Sequence, residues 1–157
     1  MKFTLIDRIT ELKEGESVRA IKNLSISEEY LQDHFPNFPV IPGVLMLEAM
    51  TQASAWLLRV TEDFAHSIVV LREAANVKYT KFLEPGQQLV VESKILKVSD
   101  NLVKFAANGS IEGVPNVSAR LTLIRYNLAD EKPEKAFVDQ KVIEGLKQEF
   151  ALLYRPT

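Results

Sequence analysis

The chain contains no cysteine, which excludes disulfides, thiolate metal centres and a cysteine nucleophile. Its only histidines are His34 and His66, too few for a histidine-rich metal centre, so no metal is expected. No stretch approaches the ~18 consecutive apolar residues of a membrane span. The opening MKFTLIDRIT carries charges at Lys2, Asp7 and Arg8 and lacks the apolar run of a secretory leader. A basic excess is missing as well: 19 Lys and Arg stand against 21 Asp and Glu, which argues against a nucleic-acid partner. There is no internal repeat and no low-complexity segment. What remains is 157 residues, 46% hydrophobic and 25% charged, enough to bury a substantial core. The expectation at this level is a soluble cytoplasmic protein.

Residues 16–26 mix β-branched and polar side chains, the pattern of a strand or a strand pair. Ser27-Glu28-Glu29 suggests a short helix over 27–32, capped by Ser27. Three prolines then recur at a spacing of three, Pro36, Pro39 and Pro42. Each fixes its own φ and disfavours helix at the preceding residue, which predicts an extended, stiff segment over 35–42. Pro42 suits the first position of a helix, and nothing breaks that helix between Gly43 and about Glu62. Four apolar stretches follow at 67–80, 88–99, 102–112 and 116–126. Turn signals separate them at Glu84-Pro85-Gly86, Asp100-Asn101 and Gly113-Val114-Pro115. Consecutive strands without intervening helices indicate an antiparallel sheet. A charged linker at 127–137 leads to Val142, Leu146, Phe150 and Leu153 at helical spacing.

The chemistry concentrates in HFPNFPVIPGVLMLEAMTQ, residues 34–52. Within the predicted long helix, Glu48, Thr51, Gln52, Arg59 and Glu62 share one stripe about 100° wide, and the rest of the circumference is apolar. Such a helix is enclosed on most sides. Either the stripe faces water or it faces a site. Arg59 lies roughly 16 Å along the axis from Glu48, too far for a close partner, whereas Gln52 at i+4 can hold the carboxyl in one orientation. A carboxyl among Leu and Met should resist ionisation, the state a general acid needs. A lone loop histidine is more often incidental than catalytic. Yet His34 precedes a rigid loop that ends at a helix N-terminus, where the Gly43 and Val44 amides favour negative charge. An imidazole base, an oxyanion donor and a carboxylic acid therefore fall within nineteen residues of sequence. His66 carries no comparable signal.

That segment resembles the signature of the FabZ-type 3-hydroxyacyl-[acyl-carrier-protein] dehydratases, roughly HFPxxPxxPGVLxxEAxxQ. LIDRI at 5–9 and NVKYTKFLEPGQQLVVE at 76–92 are similar to further family elements, so the resemblance covers about 3–126. It implies an α+β hotdog fold over 1–126, an antiparallel β-sheet wrapped around one long central helix. Residues 127–157 become a charged linker and an additional C-terminal helix. It further implies a homodimer, in many members built into trimers of dimers, with each site shared between subunits. His34 would be the general base and Glu48 the general acid. Gly43 and Val44 would supply the oxyanion site, Gln52 would orient Glu48, and Phe35, Pro42, Tyr79 and Phe82 would border the acyl tunnel. No cofactor is implied. The partner would be acyl carrier protein bearing a 3-hydroxyacyl chain, and the product a trans-2-enoyl thioester for fatty acid synthesis.

The chain departs from the family pattern at Asp33 and Asn37, where glycine is common, and at Phe82, Glu84 and Gln87 in the tunnel loop. Two other classes compete: a non-catalytic acyl-binding or assembly hotdog protein, and a hotdog acyl thioesterase. The joint presence of His34, Glu48 and Gln52 favours the dehydratase. Carrier protein is acidic, so Lys78, Lys81, Lys97, Arg120 and Arg125 are candidate docking cations.

Overall fold

The computed structural model describes residues 3–156. One antiparallel six-stranded sheet carries the architecture, in the order β1-β2-β4-β5-β6-β3. Its strands are β1 (Arg8–Lys13), β2 (Ser17–Asn23), β3 (Ile68–Tyr79), β4 (Gln88–Ser99), β5 (Leu102–Ile111) and β6 (Val114–Tyr126). The sheet packs around α1 (Gly43–Thr61), which touches every strand, and α2 (Ala136–Leu153) closes the chain. This is the hotdog arrangement, with an additional C-terminal helix.

Period-two burial makes the sheet one-sided. In β5, Val103, Phe105, Ala107, Gly109 and Ile111 point inward while Lys104 and Asn108 face out. Gly109 has a steric reason: a Cβ there would lie 2.7 Å from Val117 and 2.8 Å from Leu89. The inward faces meet α1, where Ala49, Met50, Ala53, Leu57 and Leu58 are fully or almost fully buried. Each fully buried leucine contributes about 1.5–3 kcal/mol. A helix enclosed over this much of its surface cannot slide, so the side chains on its remaining stripe are held at fixed places.

Several local expectations are corrected. The short helix after β2 is one 3-10 turn, Glu29–Gln32, preceded by Glu28 with no side-chain cap, so Ser27 does not cap it. Glu28 is occupied elsewhere, with Lys22 Nζ at 2.5 Å and the Tyr30 hydroxyl on its other oxygen. The proline segment is not extended throughout. Phe35 and Phe38 exchange backbone hydrogen bonds of 3.1 Å, forming a tight turn. Pro42 is the N-cap of α1, in non-helical backbone, and Gly43 is its first helical residue. The last hairpin turns at Glu112 and Gly113, both with positive φ, as a two-residue type I′ loop requires. Strand β6 therefore starts two residues earlier than expected and tolerates Pro115 at a register shift.

Candidate active site

His34 follows the 3-10 turn, and its amide donates to the Tyr30 carbonyl at 3.1 Å. Its own carbonyl accepts from Val40 N–H at 3.0 Å, so the imidazole sits at the neck of a closed loop. Its Nδ1 lies 2.9 Å from the Val40 carbonyl oxygen. A carbonyl can only accept, so Nδ1 carries a proton, and the neutral ring keeps its lone pair on Nε2. Phe35 stacks on the ring at 4.2 Å. The imidazole is thus locked in position and in tautomer.

A cavity of about 490 Å³ opens beside it, lined by His34, Phe35, Ile41, Gly43, Met46 and residues 79–82. Gly43 allows a close approach: a Cβ there would meet the Tyr79 ring at 3.1 Å, so the ring would have to shift. Partial burial pushes the Tyr79 phenol up from its usual value. Phe82 meets Phe38 edge-on at 5.5 Å, and both rings are exposed, Phe82 by 63%. Of the residues expected around the tunnel, Phe35, Tyr79 and Phe82 line this cavity. Pro42 and Val44 do not, and Val44 is exposed on the outside of the helix start.

The outer wall is fixed by a residue the sequence did not single out. Asn116 on β6 is fully buried. Its backbone carbonyl accepts from Thr80 N–H at 2.8 Å, and its side-chain oxygen accepts from Lys81 N–H at 3.0 Å. Its amide nitrogen points at Met46 Sδ, 3.1 Å away on α1. An asparagine inside a strand pattern gives no sequence signal for this; only the burial reveals it.

Glu48 lies on the other side of the helix start, in a separate cavity of about 390 Å³. Gln52 holds it. The Gln52 carbonyl oxygen accepts from Leu5 N–H at 2.9 Å, which leaves the amide nitrogen to donate to Glu48 Oε1 at 3.0 Å and to the Phe3 carbonyl at 3.1 Å. A backbone N–H cannot accept, so the amide cannot be turned round. With Oε1 occupied by a donor, Oε2 is the oxygen without a side-chain donor among the described residues. Within one chain, therefore, His34 and Glu48 line different cavities rather than one.

Glu62, at the far end of the stripe, has other partners. Glu62 receives Arg125 Nε at 2.7 Å on both oxygens and lies 3.3 Å from His66 Nδ1. Arg125 is only 8% exposed, which corrects its assignment as a docking cation: it is an internal ion-pair partner. Lys78, Lys81, Lys97 and Arg120 are exposed. Among the described residues, no group of three or more His, Asp or Glu is placed to hold a metal, and no helix is long and apolar enough to cross a membrane.

Known proteins resemble the chain in sequence and in fold. A FabA-like domain matches residues 1–119. The 3-hydroxyacyl-[acyl-carrier-protein] dehydratase FabZ of Albidiferax ferrireducens is 38% identical over 124 residues, covering 76% of this chain and 82% of the relative. FabZ of Lactococcus lactis subsp. lactis is 38% identical over 120 residues, covering 76% and 83%. Among solved structures, the dehydratase heterocomplex ApeI:P from Xenorhabdus doucetiae shares the fold at a TM-score of 0.66, with 19% identity and coverage of 81% and 86%. The protein smu.793 from Streptococcus mutans, bound to acetyl CoA, does so at 0.61, with 13% identity and coverage of 80% and 91%. By sequence match over most of its length and by architecture, the chain belongs to the FabA-like family, among its FabZ-type dehydratases.

Proposed function

We propose that the protein removes water from a (3R)-3-hydroxyacyl group on acyl carrier protein, giving the trans-2-enoyl thioester of fatty acid synthesis. His34 Nε2 takes the proton from the carbon next to the thioester carbonyl. Charge building on the carbonyl oxygen is held at the start of α1, where the Gly43 and Val44 amides lie ahead of the helix's own ladder. Glu48 gives its proton to the departing hydroxyl, with Gln52 fixing which oxygen faces the substrate. Proton removal and proton delivery come from two positioned side chains, each typically worth about 10²–10⁴ in rate. Nothing in this sequence of steps calls for a cofactor.

The observation that carries this reading is the placement of the two half-sites along β3. The Glu48 cavity touches Val69, Val70 and Leu71 at one end of the strand, and the His34 cavity touches Tyr79 at the other. Among the described residues β3 is an edge strand, hydrogen-bonded only to β6. Centred antiparallel pairing of two β3 edges sets Val69 opposite the partner's Lys78. Each Glu48 end then lies against a His34 end, and a homodimer has two complete sites. Exposed Val44, Phe35 and Tyr79 would be covered in that assembly, which is placed in the cytoplasm. Docking of the acidic carrier falls to the exposed cations Lys78, Lys81, Lys97 and Arg120.

The purified protein should be incubated with 3-hydroxyacyl and plain acyl thioesters of the carrier. Loss of water from the first, without thiol release from the second, is expected. Thiol release would identify a thioesterase, and inertness toward both would identify a non-catalytic homologue. High salt should raise KM for the carrier-bound substrate; an unchanged KM would remove the electrostatic docking.

A further inference from the structure

The Glu48 cavity does not end in apolar side chains. It runs along one face of α1 through Thr51, Gln52, Ala55 and Trp56 to Arg59, a rise of roughly 16 Å. Val69, Val70 and Leu71 of β3 line it as well, and so do Leu146 and Glu149 of α2. The acid thus lines the same cavity as a guanidinium and a carboxylate further along α1, with Ala55, Trp56, Val69 and Leu146 among the residues between them. Arg59 stacks over Trp56 at 5.0 Å, and its Nε is buried with no hydrogen-bond partner among the described residues. Burial pulls the guanidinium down to about 10, and the Glu149 charge acts in the opposite direction. Glu149 accepts from the Thr4 hydroxyl at 3.4 Å. The helix that brings it is anchored by Phe150, whose ring lies 5.9 Å from Trp56 and 5.9 Å from Phe64.

Resting on the dehydratase reading, we infer that Arg59 and Glu149 are specificity-determining residues that form a polar stop to the acyl passage beyond Glu48, so that α2 sets an upper limit on acyl chain length. The geometry orders the substrate. Its hydroxyl carbon must lie at Glu48, its thioester points toward the His34 half-site, and the rest of the chain runs the other way. The passage between Gln52 and Arg59 accepts a short alkyl segment against Ala55, Trp56, Val69 and Leu146. A longer chain brings its terminus against two ionic groups and strips their remaining water, a loss that an alkyl group cannot offset. A shorter chain leaves them hydrated.

The test compares kcat/KM for carrier-bound 3-hydroxybutyryl, 3-hydroxydecanoyl and 3-hydroxypalmitoyl groups. Two variants act in opposite directions. In Arg59→Leu/Glu149→Leu, where both charges go together so that neither is stranded, the palmitoyl-to-butyryl ratio should rise about tenfold or more. Leu146→Trp fills the passage without touching either charge, and the same ratio should fall. If the wild type dehydrates the butyryl substrate and removal of the two charges moves the ratio by less than twofold, the polar stop is wrong and the dehydratase reading stands; an unchanged ratio in Leu146→Trp would show that the acyl chain does not enter this passage and would overturn the inference as well. Should the double variant not fold, Arg59→Met/Glu149→Gln, which removes both charges while keeping the side-chain length, takes its place, with the same rise in the ratio expected. A wild type inert toward all three substrates would remove the underlying function, and this inference with it.

Discussion

Gln52 makes two separable contributions, and two substitutions pull them apart. Gln52→Met keeps the volume of the side chain and removes all three of its hydrogen bonds. The heaviest loss is at the Leu5 amide, which belongs to a buried residue and would be left unsatisfied at about 1–3 kcal/mol. The bonds to Glu48 and the Phe3 carbonyl are part-exposed and add little. A total near 2 kcal/mol lowers Tm by about 4–8 °C in a domain of this size. Gln52→Glu keeps an oxygen for the Leu5 N–H but, when ionised, has nothing to donate to Glu48. Its Tm loss should be smaller than that of Gln52→Met. Its kcat should still fall about tenfold to a hundredfold, because the acid is no longer held in one orientation. Calorimetry with steady-state dehydration of a 3-hydroxyacyl thioester measures both quantities. Full kcat in Gln52→Glu would refute the orienting role, and a Gln52→Met as stable as the wild type would refute the clamp on Leu5.

Four further outcomes are expected. His34→Ala and Glu48→Ala should each lose about 10²–10⁴ in kcat, and mixing the two inactive proteins after unfolding and refolding should restore part of the activity; no recovery would count against a site shared by two chains. Gly43→Ala should raise KM with little change in Tm, because the new methyl displaces the half-exposed Tyr79 ring rather than a buried neighbour. Arg125→Ala should cost about 2–3 kcal/mol by stranding Glu62, less than a fully buried pair because the Glu62 side chain is 22% exposed; chemical denaturation measures it. At Asp139, burial alone would raise the pKa, but the Ser67 hydroxyl, the Leu128 and Ala129 amides and the Lys135 charge outweigh it and hold the carboxyl below its usual value. A lowered folded pKa contributes stability that is present above the unfolded value, near 3.9, and is lost as pH falls below it. Hydrogen-exchange protection in α2, referred to the intrinsic rate at each pH, should therefore fall in acid, and Asp139→Asn should flatten that dependence.

The parts legible in the sequence are those where one local rule acts alone. β5 alternates strictly, β4 and β6 are apolar runs bounded by clear turn signals, and α1 has no breaker after Gly43, so their limits fall within two residues of expectation. Strand β1 was missed because only Ile9 is buried in it and the register slips between Ile9 and Glu11, which erases its alternation. Ser27 looked like a cap, but a one-turn 3-10 helix held from outside by the Glu28 contacts has no use for one. Arg125 looked like a surface cation because its partner, Glu62, is 63 residues away. The spacing of Glu48 and Gln52 predicted their contact, since i to i+4 is fixed by the helix itself. No spacing could have predicted that Arg59 and Glu149 border the same space, because only the docking of α2 brings them there.

The tie between Asn116 and the chain at Thr80 and Lys81 bears on how the mouth beside His34 can open. Leu83 is buried, and its carbonyl accepts from Ile41 N–H, so the backbone is strapped at 80, 81 and 83. A hinged lid is therefore ruled out there. Admission falls to the exposed ring of Phe82, and exposed side chains flip in picoseconds to nanoseconds rather than on the microsecond-to-millisecond scale of domain closure. Turnover in this protein should accordingly be insensitive to solvent viscosity at the entry step.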